Sequence, residues 1–282
     1  VTPSSPAPRR RRAAFLDFDG TLAENGVVPR VQAEAVLRAR RAGHAVLLCT
    51  GRPGSIVPAD VAELFDGLVT SAGGHVRLGE DVLRDQRFPA PLARRAVEVL
   101  DAHGVVYALE APEALWCSPA NVERLRSRPR PAPTTAPGDR GRGFVDILDA
   151  IAVPGDPAAT SFAKISLWGS PVTVEQLAAE IGPEIGALPN SISHDDLGSG
   201  ELHLAEVDKA VGLRVAADAL GVPIEDTVAI GDGMNDLAML REAGTAVAIT
   251  GSRPEVLAIA DLEVPPPAEH GVLTAFERLG ML

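Results

Sequence analysis

One stretch constrains this chain more than any other. The apolar run Ala13-Ala14-Phe15-Leu16 leads straight into Asp17-Phe18-Asp19-Gly20-Thr21-Leu22. Four consecutive apolar residues predict a strand buried on both faces, which is the habit of parallel sheets covered by helices. Alternation along an extended backbone points Asp17 and Asp19 to the same side. Gly20 and Thr21 then turn the chain, as suits a loop at the carboxyl end of a parallel strand, where open α/β sheets bind ligands. Two carboxylates so close repel unless a cation lies between them or one is protonated. A hard, oxygen-liganded ion such as Mg2+ satisfies both, leaving one carboxylate for chemistry.

The same pattern returns twice. Ala45-Val46-Leu47-Leu48-Cys49 is a second apolar run and ends in Thr50-Gly51-Arg52. Thr227-Val228-Ala229-Ile230 is a third and ends in Gly231-Asp232-Gly233-Met234-Asn235-Asp236. Between these lie helical patterns at 31–42, 55–65 and from Asp208, a plausible N-cap, to about Leu220. Asn25-Gly26 signals a tight hairpin after the first carboxylate pair. The order β-α-β-α-β predicts an α/β fold with a doubly wound, Rossmann-like parallel sheet. All three polar strand ends then face one crevice. Lys209, which opens the helix after Asp208, would join them. Four carboxylates, a threonine hydroxyl and an ammonium converging in this way describe a metal-assisted phosphate site.

The middle of the chain has another character. Strands at 75–78, 81–88, 105–109, 144–151, 163–168 and 187–193, with helices at 91–103 and 172–181, predict an α+β module on its own sheet. The expected organisation is a disordered tail at 1–12, a discontinuous core at 13–75 and 195–282, and a domain inserted at 76–194. The Pro-, Gly- and Arg-rich segment 127–143 reads as a loop excursion.

Composition narrows the classes of partner. A net charge of −12 argues against nucleic acid or an anionic membrane as the main partner. No apolar run reaches the ~20 residues of a membrane span. Four arginines precede an apolar stretch of only four residues, too short for the core of a secretion signal. Two distant cysteines, Cys49 and Cys117, form no disulfide framework and fit a reducing cytoplasm. Of 26 basic residues only Lys164 and Lys209 are lysines, so a compact ammonium is a candidate requirement at both. Lys164 at the start of a strand reads first as an edge charge, and Trp116 and Trp168 read as core of the inserted module.

Taken together, Asp17-Phe18-Asp19-Gly20-Thr21-Leu22, Thr50-Gly51-Arg52, Lys209 and Gly231-Asp232-Gly233-Met234-Asn235-Asp236 resemble, in order and setting, the four motifs of the haloacid dehalogenase-like (HAD) superfamily. Within it the chain resembles the Cof-type phosphatases, which carry a large C2-type cap. The resemblance implies a phosphatase that takes a small phosphorylated metabolite, such as a sugar phosphate, with Mg2+ as cofactor. It implies Asp17 as nucleophile forming an aspartyl-phosphate and Asp19 as general acid and base. It implies Asp17, the Asp19 backbone carbonyl, Asp232 and Asp236 around the metal, and Thr50, Gly51, Lys209 and Asn235 around the phosphoryl group. Two functional alternatives use the same scaffold: a phosphotransferase or mutase, and a catalytically silent phosphate-binding protein. The chain departs from the usual pattern at Ser71-Ala72-Gly73-Gly74, where many relatives carry Ser-Asn-Gly-Ala, at Thr250-Gly251 in place of Asn-Ala, and at Ala210 after the lysine.

Overall fold

A computed structural model describes residues 10–127, 135–189 and 198–282. In chain order the first part holds β1 (Ala13–Leu16), α1 (Arg30–Arg41), β2 (Ala45–Cys49), α2 (Ala59–Ala62), β3 (Gly67–Thr70), β4 (His75–Leu78) and β5 (Asp81–Asp85). The middle holds α3 (Ala90–Ala102), β6 (Val106–Glu110), β7 (Leu115–Trp116), α4 (Pro119–Arg126), α5 (Phe144–Asp149), β8 (Ile151–Ala152), β9 (Lys164–Gly169), α6 (Val174–Ile181), β10 (Ile185–Pro189) and β11 (Ser199–Leu204). The last part holds α7 (Lys209–Leu220), β12 (Thr227–Gly231), α8 (Leu237–Glu242), β13 (Thr245–Ile249), α9 (Pro254–Leu257), β14 (Leu262–Val264) and α10 (Gly271–Arg278).

The lower sheet runs β14-β13-β12-β1-β2-β3-β4-β5, parallel from β14 to β3. From β1 the chain builds outward through β2 and β3, then returns to build the other side from β12. The order therefore reverses between β1 and β12, the place where such sheets open a crevice. Helices cover both faces. Ala14 and Leu16 pack with Val36, Val272 and Phe276 on one side. Ala13 and Phe15 pack with Leu213, Ala216 and Met239 on the other. Burial on both faces is what the unbroken apolar strands predict.

The upper sheet runs β10-β11-β9-β6-β7-β8. Its strands pair antiparallel except β7 with β8, unlike the parallel strands below. Tyr107, Leu109, Ile165, Leu167, Leu202 and Leu204 form a separate core with residues of α3 and α6. Thr173 caps α6 with a reciprocal box to Gln176, matching the helix start expected there. Asn25-Gly26 forms the expected tight hairpin, with Glu24 and Val27 exchanging both backbone hydrogen bonds.

Several expectations are corrected. The strands at 75–78 and 81–85, assigned to the insertion, extend the lower sheet instead. The Ser71–Gly74 turn reverses the chain so that β4 pairs antiparallel with β3. The strand at 199–204, assigned to the core, pairs antiparallel with β9 and β10 of the upper sheet. The apolar run expected as a strand at 144–151 is mostly the helix α5, with only Ile151–Ala152 extended; short apolar runs carry no period that separates the two. The end of the supposed tail is docked. The Arg12 guanidinium donates to Leu279 O at 3.1 Å, and Arg10 pairs with Asp226 at 2.6 Å. Part of the Arg-rich segment is docked as well: Arg140 exchanges backbone hydrogen bonds with Val28, and Gly141 N donates to Asp60. Residues 1–9 and 128–134, and His194-Asp195-Asp196 at the second junction, lie outside the described residues.

The two passages between the sheets, 86–89 and 205–208, run side by side. Phe88 and Val207 share one apolar cluster, and a Cβ placed on Gly74 would stand 3.5 Å from both Gln86 O and Val207 Cγ1. Among the described residues no helix is long and apolar enough to cross a membrane.

Candidate active site

Between the sheets lies a cavity of about 1170 Å³, lined from below by the three predicted strand ends and from above by one face of the upper sheet. Asp17 follows β1 directly, its backbone N donating to Ile230 O of β12, so the nucleophile candidate is pinned at the switch point. Asp17, Asp232 and Asp236 each offer a carboxylate oxygen within 4.8 Å of the others. Lys209 is buried beside them, its Nζ donating to Asp17 Oδ1 at 2.5 Å and Asp236 Oδ1 at 2.6 Å. It is there because Asp208 caps α7, accepting from Val211 N at 2.9 Å, which sets Lys209 as the first helical residue.

The three carboxylates are not equivalent. Asp236 is fully buried and spends both oxygens on the protein: Oδ1 on Lys209, and Oδ2 on the backbone N–H groups of Asp232 and Gly233 at 3.0 and 2.8 Å. Asp17 and Asp232 line the cavity, whereas Lys209 and Asp236 stand behind them. Asp232 accepts from the Thr21 hydroxyl at 2.7 Å. Gly20 adopts φ +85°, and a Cβ there would lie 2.4 Å from Asp232 Oδ2, so only glycine lets the first motif close onto the fourth.

One ammonium faces three carboxylates, and the local balance is negative. Burial and the neighbouring Asp236 raise the Asp17 carboxyl well above its ordinary range, against the opposing pull of Lys209. Burial raises Asp232 to about 6, the Thr21 hydrogen bond opposing it. Lys209 is raised by Asp17 and Asp236, against its desolvation, and stays charged. An all-oxygen donor set with uncompensated negative charge fits a hard divalent cation.

Asp19 behaves differently from Asp17. Its carboxylate lies outside the three-carboxylate cluster and grips Arg52 in a two-pronged pair, 2.7 Å to both Nε and Nη2. The Arg52 guanidinium also stacks over Phe18 at 4.6 Å. The first and second motifs are thus joined through a pair that the spacing of neither revealed. Thr50 is buried at the end of β2, with its hydroxyl accepting from Arg52 N at 3.1 Å. Gly51 and Asn235 line the same cavity. Every predicted site residue is therefore at the crevice or directly behind it. Cys49, one residue before Thr50, is a buried thiol pushed up to about 12 by desolvation, which leaves it protonated.

Lys164 is the residue that the sequence reading misplaced. β9 is an interior strand, and Lys164 is buried, not an exposed edge charge. Its Nζ donates to Gly51 O at 2.6 Å across the cavity and pairs with Glu201 at 2.8 Å and Glu110 at 3.2 Å. Trp168, read as core, also lines the cavity.

With this geometry the comparisons with known proteins agree. The family model for haloacid dehalogenase-like hydrolases matches residues 14–276. The candidate phosphatase YkrA of Bacillus subtilis is 26% identical over 277 residues, covering 95% of this chain and 97% of that one. Phosphatase YwpJ of the same organism is 37% identical over 79 residues, 28% of each chain. Among solved structures, a protein of Geobacillus kaustophilus superposes with a TM-score of 0.77 at 25% identity, covering 97% of this chain and all of that one. The HAD subclass IIB sugar phosphatase BT4131 superposes with a TM-score of 0.75 at 22% identity, covering 96% and 100%. The chain belongs to the haloacid dehalogenase-like hydrolases, of the Cof type, and is an enzyme of the phosphatase class.

Proposed function

We propose that this enzyme is a Mg2+-dependent phosphatase that hydrolyses small phosphate monoesters through an aspartyl-phosphate on Asp17. The observation that carries the reading is Lys209, held between Asp17 and Asp236 with Asp232 alongside. A lysine locked on one oxygen of a cavity-lining carboxylate leaves the other oxygen facing an incoming ester in a fixed orientation.

Asp17 attacks phosphorus in line as the ester P–O bond breaks, and Asp19 gives a proton to the departing oxygen. Water then attacks the phosphorus of the aspartyl-phosphate while Asp19 takes up its proton, and Asp17 and inorganic phosphate are released. In the resting arrangement both Asp19 oxygens accept from Arg52, so Asp19 lets go of Arg52 and carries a proton when it serves as the acid. Thr50, the Gly51 N–H and Asn235 are assigned to the phosphoryl oxygens. Asp17 and Asp232, with the Asp19 carbonyl, are assigned to hold Mg2+, and Asp236 to hold Lys209 and the fourth-motif loop in place. When bound, the ion supplies neutralisation of carboxylate and phosphoryl charge. Residues 86–207 are assigned as the cap over the crevice.

The test is Asp17→Asn. The amide keeps the shape but cannot attack phosphorus, so phosphate release falls to background while the thermal midpoint stays within a few degrees. Turnover above a trace would remove Asp17 from the nucleophile's place. A phosphotransferase would show itself by transfer to an added sugar hydroxyl exceeding release to water.

A further inference from the structure

We propose that Glu201 selects the leaving group of the substrate: it accepts a hydrogen bond from a hydroxyl or ammonium group near the phosphoester and rejects leaving groups that carry a carboxylate or a second phosphate. The proposal rests on the phosphatase reading and adds the substrate class to it. Lys164 acts as a positioning residue for Glu201.

The upper sheet turns two unlike faces to its surroundings. Leu109, Ile165, Leu167, Leu202 and Leu204 belong to the apolar core under α3 and α6. The other face of β6, β9 and β11 brings polar residues into register: Glu110 opposite Lys164, and Glu201 opposite Ser166. All four line the cavity. This face is therefore the roof over the phosphate site.

The hydrogen-bonding capacity of this roof is already divided. The Lys164 ammonium donates to Gly51 O and is ion-paired with Glu201 Oε1 at 2.8 Å and Glu110 Oε2 at 3.2 Å. The Ser166 hydroxyl donates to Glu110 Oε1. Lys164 and Glu110 are buried, while the Glu201 side chain is 33% exposed. Glu201 is thus the charged group of this trio that a ligand can reach. Its Oε2 lies 3.9 Å from where a Cβ on Gly51 would stand, next to the phosphate-binding loop. A ligand bound there meets an acceptor with a formal negative charge and no spare cation from Lys164. Two glutamates against one lysine give the trio a formal charge of −1. An anionic substituent would meet like charge in a partly buried site, where screening is weak; a hydroxyl or ammonium would gain a charge-assisted hydrogen bond. Leu188 stands opposite Glu201 and Leu115 opposite Glu110, so with Trp168 they flank the trio with apolar surface against which a carbon skeleton can lie.

The test compares three small esters of similar size with Mg2+ present: glycerol 3-phosphate, phosphoethanolamine and 3-phosphoglycerate. The parent enzyme should turn over the first two with kcat/KM about tenfold or more above the third. Glu201→Gln keeps the volume and removes the charge. It should narrow the preference over 3-phosphoglycerate to about threefold or less, and lower kcat/KM for phosphoethanolamine more than for glycerol 3-phosphate. Glu201→Ala, with far-UV circular dichroism and thermal midpoint measured beside it, repeats the comparison should the glutamine form a new hydrogen bond. A merely structural role would lower all three substrates together and leave the ratios in place, and that result overturns the proposal. So would a parent enzyme that prefers 3-phosphoglycerate. Absence of hydrolysis of every ester by the parent enzyme would instead count against the phosphatase reading beneath it.

Discussion

Two residues carry most of the electrostatic tension in this molecule, Lys209 and Asp232. Lys209 is the ammonium hydrogen-bonded to both Asp17 and Asp236. Lys209→Met would keep the packing and strand the buried carboxylates without their partner, a change that typically costs about 3–5 kcal/mol. Urea unfolding should show that loss, and Mg2+ should restore part of it by replacing the missing positive charge. An unchanged midpoint in the metal-free variant would mean that the lysine is not their counter-charge.

Asp232 gives a dependence on pH. Its carboxyl is raised in the folded protein from 3.8 to about 6, chiefly by burial. Between those values the folded state binds more protons than the unfolded one, so metal-free stability falls as pH rises from about 4 to 6 and is level above that. The upper bound on the loss is about 3 kcal/mol from this group. Metal bound at Asp232 favours the ionised form and should flatten the slope. Chemical denaturation at several pH values, with chelator and with Mg2+, reads both. A metal-free protein whose stability rises through this window would refute the assignment.

The first, second and fourth motifs were legible from sequence because each is a local pattern at the end of an apolar run, and Lys209 because it follows a helix cap, Asp208. Lys164 was not, because nothing near it in the chain differs from an ordinary strand start. Its meaning comes from Gly51, 113 positions away. The capture of Asp19 by Arg52 is invisible for the same reason.

At the scale of elements, the turn between β3 and β4 decides where α7 begins. Ser71 and Ala72 adopt φ values of 51° and 54°. Such left-handed conformations cost L-residues about 1 kcal/mol or more. The turn tolerates them because Ser71 N donates to Arg52 O at 2.9 Å and Ala72 N to Thr50 O at 3.1 Å, tying it to the second motif. Ala72→Gly should relieve the strain and raise stability by roughly 0.5–1 kcal/mol, seen as a higher urea midpoint with an unchanged slope. A lower midpoint would mean that the Ala72 methyl group packs more than its backbone strains. Gly73 is the opposite case. A Cβ there would stand 2.0 Å from Asp208 O, and the atom struck is backbone. Gly73→Ala should push the start of α7 away, carrying Lys209 from Asp17, and lower kcat and stability together.

The strand β11 shows why elements are easier to find than to place. Ser-Gly-Glu-Leu-His-Leu reads as a strand from its alternation. Pairing partners are fixed by distant β9 and β10, so the sequence showed a strand and not its sheet. Alternation itself was the missed hint, since the central parallel strands β1 and β2 are apolar throughout and this one is not.

At the scale of the whole molecule, the two sheets have separate apolar cores and touch across the crevice largely through polar groups, Lys164 with Gly51 among them. Joining Gln86 to Val207 through a short Gly/Ser linker should therefore leave a folded lower half. That half should still hydrolyse a small activated ester slowly with Mg2+ and lose its ranking among larger esters. Circular dichroism and the substrate ranking check the two parts, and an unchanged ranking would put specificity below the crevice.

The neighbouring passages at 86–89 and 205–208 have a consequence for ancestry as well as for motion. An insertion whose two ends abut asks almost nothing of its host: any upper half with ends equally close fits the same socket. The lower half, with its four motifs, can then stay constant while upper halves are exchanged or rebuilt as cassettes. Grafting the upper half of a distant relative between Gln86 and Val207 should transfer that relative's taste for substrates to this chain.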